Sequence, residues 1–206
     1  MNTKKLVALT FDDGPNLTTT MDVLDLIEQY GITASFYVVG DNINSETEKS
    51  MQRAVKLGCE IENHSRTHSV MTEMTAEKIA AEIKYTSDKI EAAVGRRPEF
   101  FRPPYIAFNE LMYDTIDLTF ICGNGAEDYN DEVSAEERYR RIMDQVCDGM
   151  VILLHDMEGN FRTVDALKML IPKLLEDGYE FVTTSKLFER SGVTPCHRSI
   201  YTNVHQ

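Results

Sequence analysis

The segment "LVALTFDDGP", residues 6–15, is an apolar run that ends on two carboxylates and then breaks at Gly14 and Pro15. A short apolar run bounded by turn residues reads as a strand buried on both faces, here over 6–11. Adjacent carboxylates repel, and one pKa rises unless a cation sits between them. Similar apolar runs recur at 34–39, 59–62, 99–102, 118–121, 150–154 and 180–183. Helical patterns lie between and after them, near 19–30, 45–57, 75–94, 108–116, 134–147, 163–176 and 184–190. Leu24 and Ile27, then Ile79, Ile83 and Ile90, recur at helical spacing. Such alternation implies parallel strands covered by helices, in about seven βα units. They could close as a distorted barrel or stay open as a doubly wound sheet. The absence of a dinucleotide-type Gly-rich turn after the first strand weighs against the open sheet.

Bulk properties narrow the partners. The 206 residues suffice for one domain with a sizeable core, and the composition, 42% hydrophobic and 27% charged, is that of a soluble protein. A formal charge of 21 − 34 = −13 argues against nucleic acid and anionic membranes and favours neutral partners such as uncharged sugars. No stretch approaches the roughly 20 apolar residues of a membrane span. The opening "MNTKKLVALTFDDGP" is too short in its apolar part for a signal peptide, which suggests a cytoplasmic chain or a module of a larger exported protein. Cys59, Cys122, Cys147 and Cys196 form no C-x-x-C pair and are expected to be buried free thiols. Residues 1–193 are expected to form one catalytic domain. The aperiodic segment 194–206 is expected to be a C-terminal tail, an appendage to it.

Polar residues gather where the strands end. Asp12 and Asp13 end the first, His64 and His68 follow the third in "NHSRTH", and "RPPY" (102–105) follows the fourth. Asp128 lies beyond the fifth in "GNGAEDY", and His155 and Asp156 end the sixth in "LLHD". In a barrel the carboxyl ends of strands share one rim, where chemistry collects. His64 and His68, at i and i+4, would aim at one point from a single helical turn. Imidazole suits zinc, cobalt, nickel or iron, and one carboxylate would complete a three-ligand site with an open position. Such an ion lowers the pKa of a bound water toward ~7 and leaves work for a nearby base. Asp12 and Asp13 alternate along the strand, so one can ligate while the other faces substrate. An acidic partner, Asp128, would keep His155 protonated as an acid for the leaving group.

"TFDDGP", "HSRTH", "RPPY" and "LLHD", in this order, resemble the motifs of the polysaccharide deacetylase family, the NodB-homology domain or carbohydrate esterase family 4. The resemblance implies an α/β fold, a distorted (β/α) barrel. It implies a hydrolase that removes acetyl groups from acetylated polysaccharide or oligosaccharide, an N-acetylglucosamine-type glycan or acetylxylan. One divalent metal ion is implied, zinc first, with cobalt or nickel as other choices. By the same resemblance Asp12 is the base, and Asp13, His64 and His68 hold the metal. Arg102 pairs with Asp12, the Tyr105 backbone N–H binds the oxyanion, and Asp128 tunes His155, the acid. Leu153, Tyr129 and Pro103 are expected to line the substrate pocket.

Three departures stand out. Gly125 occupies the usual place of an acid, Tyr129 that of a tryptophan, and Ile106 that of a common glycine. The partner implied is an acetylated glycan, with no nucleic acid and no membrane, and the chain is expected to act as a monomer. Family substrates point to an extracellular setting, with the cytoplasm as the alternative. A catalytically silent carbohydrate-binding domain of the same fold is the competing reading. A two-histidine, one-carboxylate iron oxygenase is a third, which the paired aspartates and the βα pattern disfavour.

Overall fold

Alternate residues of the first strand belong to two different cores. The computed structural model describes residues 4–205. In β1 (Lys5–Asp12), Val7, Leu9 and Phe11 pack outward in a large cluster that also takes in α1 (Thr19–Tyr30), α2 (Glu48–Lys56), α3 (Ala76–Val94), α5 (Ala135–Met143) and α6 (Phe161–Glu176). Leu6 and Ala8 face the other way, into a second cluster inside the curl of the sheet. The same period of two continues to the strand end, so Asp12 follows Leu6, Ala8 and Thr10 on the inner face.

Among the described residues, nine strands form one parallel sheet. β2 (Ser35–Val38), β3 (Glu60–Asn63), β4 (Phe100–Phe101) and β5 (Thr119–Ile121) run in sequence on one side of β1. β7 (Met150–His155) and then β6 (Asn124–Gly125) lie on the other. β8 (Tyr179–Val182) pairs with Lys5–Ala8 of β1 while β2 pairs with Thr10–Asp12, so two strands share one edge. Asp12 stands in register with His155 on β7 and with Tyr37 on β2. A slip of one residue in any of these strands would turn its own member of the three to the wrong face.

The sheet curls into a distorted (β/α) barrel, the one of the two arrangements left open by the βα pattern that the family resemblance implies. All seven expected strands and seven helices are present, including α4 (Glu110–Thr115) and α7 (Thr184–Ser191), and β6 and β9 (Ile200–Tyr201) are additional. α7 fills the interior. Its Phe188 ring stacks on Phe100, with centroids 5.8 Å apart, and meets Tyr201 edge-on at 5.0 Å.

The segment expected as an appended tail is built into the sheet. β9 pairs with β5, and the Cys122 N–H donates to the Tyr201 carbonyl at 2.8 Å. A few residues on, the Val151 N–H donates to the Thr202 carbonyl at 2.9 Å and Met150 bridges to Asn203. Residues 200–203 therefore strap β5 to β7 across the seam of the curl. The cysteines also depart from expectation: all four are free, but Cys147 and Cys196 are exposed, Cys122 is half-buried, and only Cys59 is buried. No helix among the described residues is long and apolar enough to cross a membrane.

Tyr201 and Val204 are both buried in the inner cluster. Truncation after Val193 should lower the thermal midpoint by roughly 10 °C, given about 1.5–3 kcal/mol for each large apolar side chain re-exposed. Scanning calorimetry checks this, and an unchanged midpoint would refute the strap's structural role.

Candidate active site

A cleft of about 560 Å³ opens at the carboxyl ends of the strands. Of the eleven site residues expected from the sequence, nine line it, and Arg102 and Asp128 lie behind its wall. Asp12 reaches it as the last residue of β1. Asp13 has already left the strand, with φ 76°, so the two carboxylates diverge through a left-handed turn rather than by simple alternation. The Asn42 side-chain amide donates to the Asp13 carbonyl at 2.8 Å and fixes that turn.

His64 and His68 converge from an irregular loop, not from the expected helical turn. Ser65 and His68 both take positive φ, 64° and 55°. Asn63 holds the loop from beneath: its side-chain oxygen accepts the Ser65 N–H at 2.8 Å, and the Ser65 hydroxyl oxygen accepts the His68 N–H at 3.1 Å. His64 Nδ1 lies 2.7 Å from the Arg102 carbonyl, so it carries the proton and leaves the Nε2 lone pair facing the cleft. Burial pushes the His64 pKa down, and this outweighs the opposing pull of Asp12 and Asp13.

These three side chains fit a divalent cation. Asp13 Oδ1 is buried and has no hydrogen-bond partner. It lies 3.5 Å from His64 Nε2 and 3.4 Å from His68 Nε2. Atoms held about 2.0–2.1 Å from one tetrahedral ion stand about 3.3–3.4 Å apart. Asp13, His64 and His68 form the one such cluster of three among the described residues.

Asp12 is held from behind. Arg102 Nη1 donates to Asp12 Oδ1 at 2.6 Å, and both side chains are buried. Burial alone would raise the Asp12 pKa, but the Arg102 charge leads a set of opposing attractions that bring it below the usual carboxylate range. Asp12 Oδ2 lies 3.8 Å from His64 Nε2, so an ionised oxygen borders the cluster. Arg102 Nη2 also donates to the Cys122 carbonyl.

His155 ends β7 across from this group. Its backbone N–H donates to Asp128 Oδ2 and its ring Nδ1 to Asp128 Oδ1, each at 2.8 Å, which leaves Nε2 for the cleft. Burial would lower the His155 pKa, but the hydrogen bond and charge of Asp128, with Asp12 and Asp13 further off, raise it to about 9. Asp156 does not join the cleft. It is wholly buried beneath the Gly14–Pro15 turn, accepts the Thr20 hydroxyl, and has its pKa raised to about 7, first by that burial.

Several supporting residues escaped the sequence reading. The Thr163 hydroxyl donates to Asp128 Oδ2 at 2.7 Å, and the Asn160 amide donates to the carbonyls of Asp128 and His155. Arg138, wholly buried, donates to Asn160 and Thr163 in turn. One signal was available: Arg138 stands four residues before Ile142, on the apolar face of α5.

Tyr105 and Tyr129 stand at the mouth, 65% and 62% exposed, and each meets a histidine edge-on. The Tyr105 ring lies 4.7 Å from that of His68, and the Tyr129 ring 5.7 Å from that of His155. Tyr105 follows Pro103 and Pro104 and takes φ 58°, and Ile106 takes φ 53°. Gly125 pairs with Leu153 in the β6–β7 ladder, and a Cβ there would come within 3.1 Å of the Leu153 carbonyl oxygen.

Known proteins place this architecture. Residues 1–121 match the model of the family described as polysaccharide deacetylase. The chain is 46% identical over 202 residues to a bifunctional xylanase/deacetylase of Pseudobutyrivibrio xylanivorans, covering 98% of this chain and 33% of that protein. It is 36% identical over 188 residues to a peptidoglycan-N-acetylmuramic acid deacetylase of Bacillus subtilis, covering 90% of this chain and 39% of that one. The chain thus spans a third to two-fifths of the length of these relatives. Among solved structures it resembles the Xyl-CE4 domain of a multidomain xylanase from the hindgut metagenome of Trinervitermes trinervoides, with TM-score 0.96, 47% identity, and 98% and 99% of the two chains covered. It also resembles a family 4 acetyl xylan esterase from Clostridium thermocellum in complex with cobalt, with TM-score 0.95, 40% identity, and 98% and 100% covered. The chain belongs to the polysaccharide deacetylase family.

Replacing Asp128 by Asn removes the charge that holds His155 protonated. Where imidazolium is the needed form, the alkaline limb of the kcat profile should begin near pH 9 in the wild type. In Asp128→Asn it should move about one to two units lower. A pH–rate profile of acetate release checks this, and an unmoved limb would remove His155 from that role.

Proposed function

We propose that this chain is a metal-dependent hydrolase that removes acetyl groups from acetylated xylan, acting on polymer outside the cell. The observation that carries the reading is the facing arrangement in one cleft: an ionised Asp12 beside three convergent ligand atoms, with a protonated His155 opposite. The choice of xylan rests on the two xylanase-linked relatives and the acetyl xylan esterase among the neighbours. The net charge of −13 agrees with an uncharged glycan.

Asp13, His64 and His68 are the residues that would hold the ion, with zinc, cobalt and nickel suited to two imidazoles and a carboxylate. When bound, such an ion supplies Lewis acidity at the acetyl carbonyl and acidifies the attacking water. Asp12 takes the proton of that water through Oδ2, while Arg102 keeps Oδ1 occupied and the carboxylate charged. The Tyr105 N–H donates to the carbonyl oxygen as negative charge builds on it. His155 Nε2 gives its proton to the departing sugar oxygen. Leu153 and Pro103 pack around the acetyl methyl, and Tyr129 offers a ring face to the sugar.

Acetate release should be measured on acetylxylan, chitin oligosaccharides and peptidoglycan, before and after chelation. Acetylxylan should be preferred, chelator should abolish turnover, and zinc or cobalt should restore it. Preference for an N-acetylated glycan would overturn the substrate assignment, and indifference to chelator the metal assignment. Asp12→Asn should lose about 10²–10⁴ in kcat with full metal content. His68→Ala should lose metal affinity and activity together, as elemental analysis would show.

A further inference from the structure

Arg102 has a problem that its known partners do not solve. It is wholly buried, with one carboxylate and one carbonyl as acceptors, and its Nε has no partner. A desolvated cation with a single ion pair needs more than one edge contact to stay in place. The guanidinium carbon lies 4.2 Å from the centroid of the Tyr37 ring. Guanidinium planes stack on aromatic faces, and the attraction grows when water is excluded.

We propose that Tyr37 is a positioning residue for the reaction, whose ring face holds the Arg102 cation so that Nη1 stays aimed at Asp12. The placement follows from the sheet, since Tyr37 and Asp12 are register partners on neighbouring strands. The ring is itself anchored. Its hydroxyl lies 3.2 Å from the Thr184 hydroxyl, and the Thr184 N–H donates to the Ser35 hydroxyl oxygen at 2.8 Å. Ser35 and Ser185 hydroxyls both donate to Glu60. A chain of buried polar contacts thus runs from the base of the curl, where α7 begins, through Tyr37 and Arg102 to the rim. Burial raises the phenol pKa well above its ordinary value, so the ring stays neutral. Tyr37 also belongs to the inner apolar cluster, and a purely space-filling role is the alternative to be separated.

Fluorination separates them, because it drains the ring face of negative potential with little change of shape. Tyr37→Phe keeps the ring and serves as reference, and mono-, di- and trifluorophenylalanine are placed at position 37 by unnatural amino-acid incorporation. The assay uses whichever acetylated substrate the wild type turns over best, so it does not depend on the xylan assignment. Expected is a stepwise fall in kcat reaching about tenfold at three fluorines, with KM within about twofold. A second readout needs no activity. The same series should lower the thermal midpoint stepwise in the Arg102 protein, and not in an Arg102→Met background. A flat kcat across the series, or equal midpoint changes in both backgrounds, would overturn the proposal. Tyr37→Leu should lose at least as much kcat as the trifluoro variant, and kcat equal to that of Tyr37→Phe would count against it.

Discussion

A buried ion pair, Arg102 with Asp12, organises the rim on which everything else is arranged. Two charges taken out of water cost several kcal/mol each, and the pair is worth keeping only when its geometry is good and its remaining donors are satisfied. Here the pair joins β1 to the loop after β4, across 90 residues of sequence. The Arg102 carbonyl accepts from His64 Nδ1, so the same residue that keeps Asp12 charged sets the tautomer of the neighbouring imidazole. Electrostatics then divides the buried His64 from the half-buried His155. His64 is kept neutral by burial, while His155 is kept charged by its own aspartate. One carboxylate paired with an arginine and another with a histidine leave an ionised oxygen and a protonated imidazole facing a single cleft.

The loops that bring these groups together carry unusual backbone. Asp13, Ser65, His68, Tyr105, Ile106 and Glu127 all take positive φ without being glycine. Each such conformation costs about 1–3 kcal/mol and persists only where surrounding contacts enforce it. The enforcing contacts are visible: Asn42 on Asp13, Asn63 on Ser65, Ser65 on His68, and the two prolines before Tyr105. At position 106 a β-branched side chain stands in the left-handed region, and it contributes a wall to the cleft. Stability is given up here for a fixed shape at the rim.

The strands of the barrel were legible because a strand covered on both faces must be a continuous apolar run, as "LVALTF" and "MVILL" are. The strand ends were legible as sites because Asp12, His64 and His155 interrupt that pattern where a barrel places its chemistry. Roles were a different matter. Nothing in the spacing of Asp12 and Arg102 announces their contact, and the family motifs supplied it. β6 and β9, two residues each, are made by backbone hydrogen bonds with no apolar run to mark them. That is why residues 194–206 looked like an appendage. Tyr37 lies within the apolar run at 34–39, where only the fold shows which cation lies over its face. The convergence of His64 and His68 was foreseen, but i, i+4 spacing suggested a helix, and left-handed loop residues did the work instead.

The chain contains no tryptophan. Tyr129, at the mouth of the cleft and edge-on to the His155 ring, is therefore a place where a single indole could be introduced with no background emission from any other. Its fluorescence would respond to the charge on one imidazole and to a ligand covering one face, so position 129 offers a place for an optical gauge of occupancy.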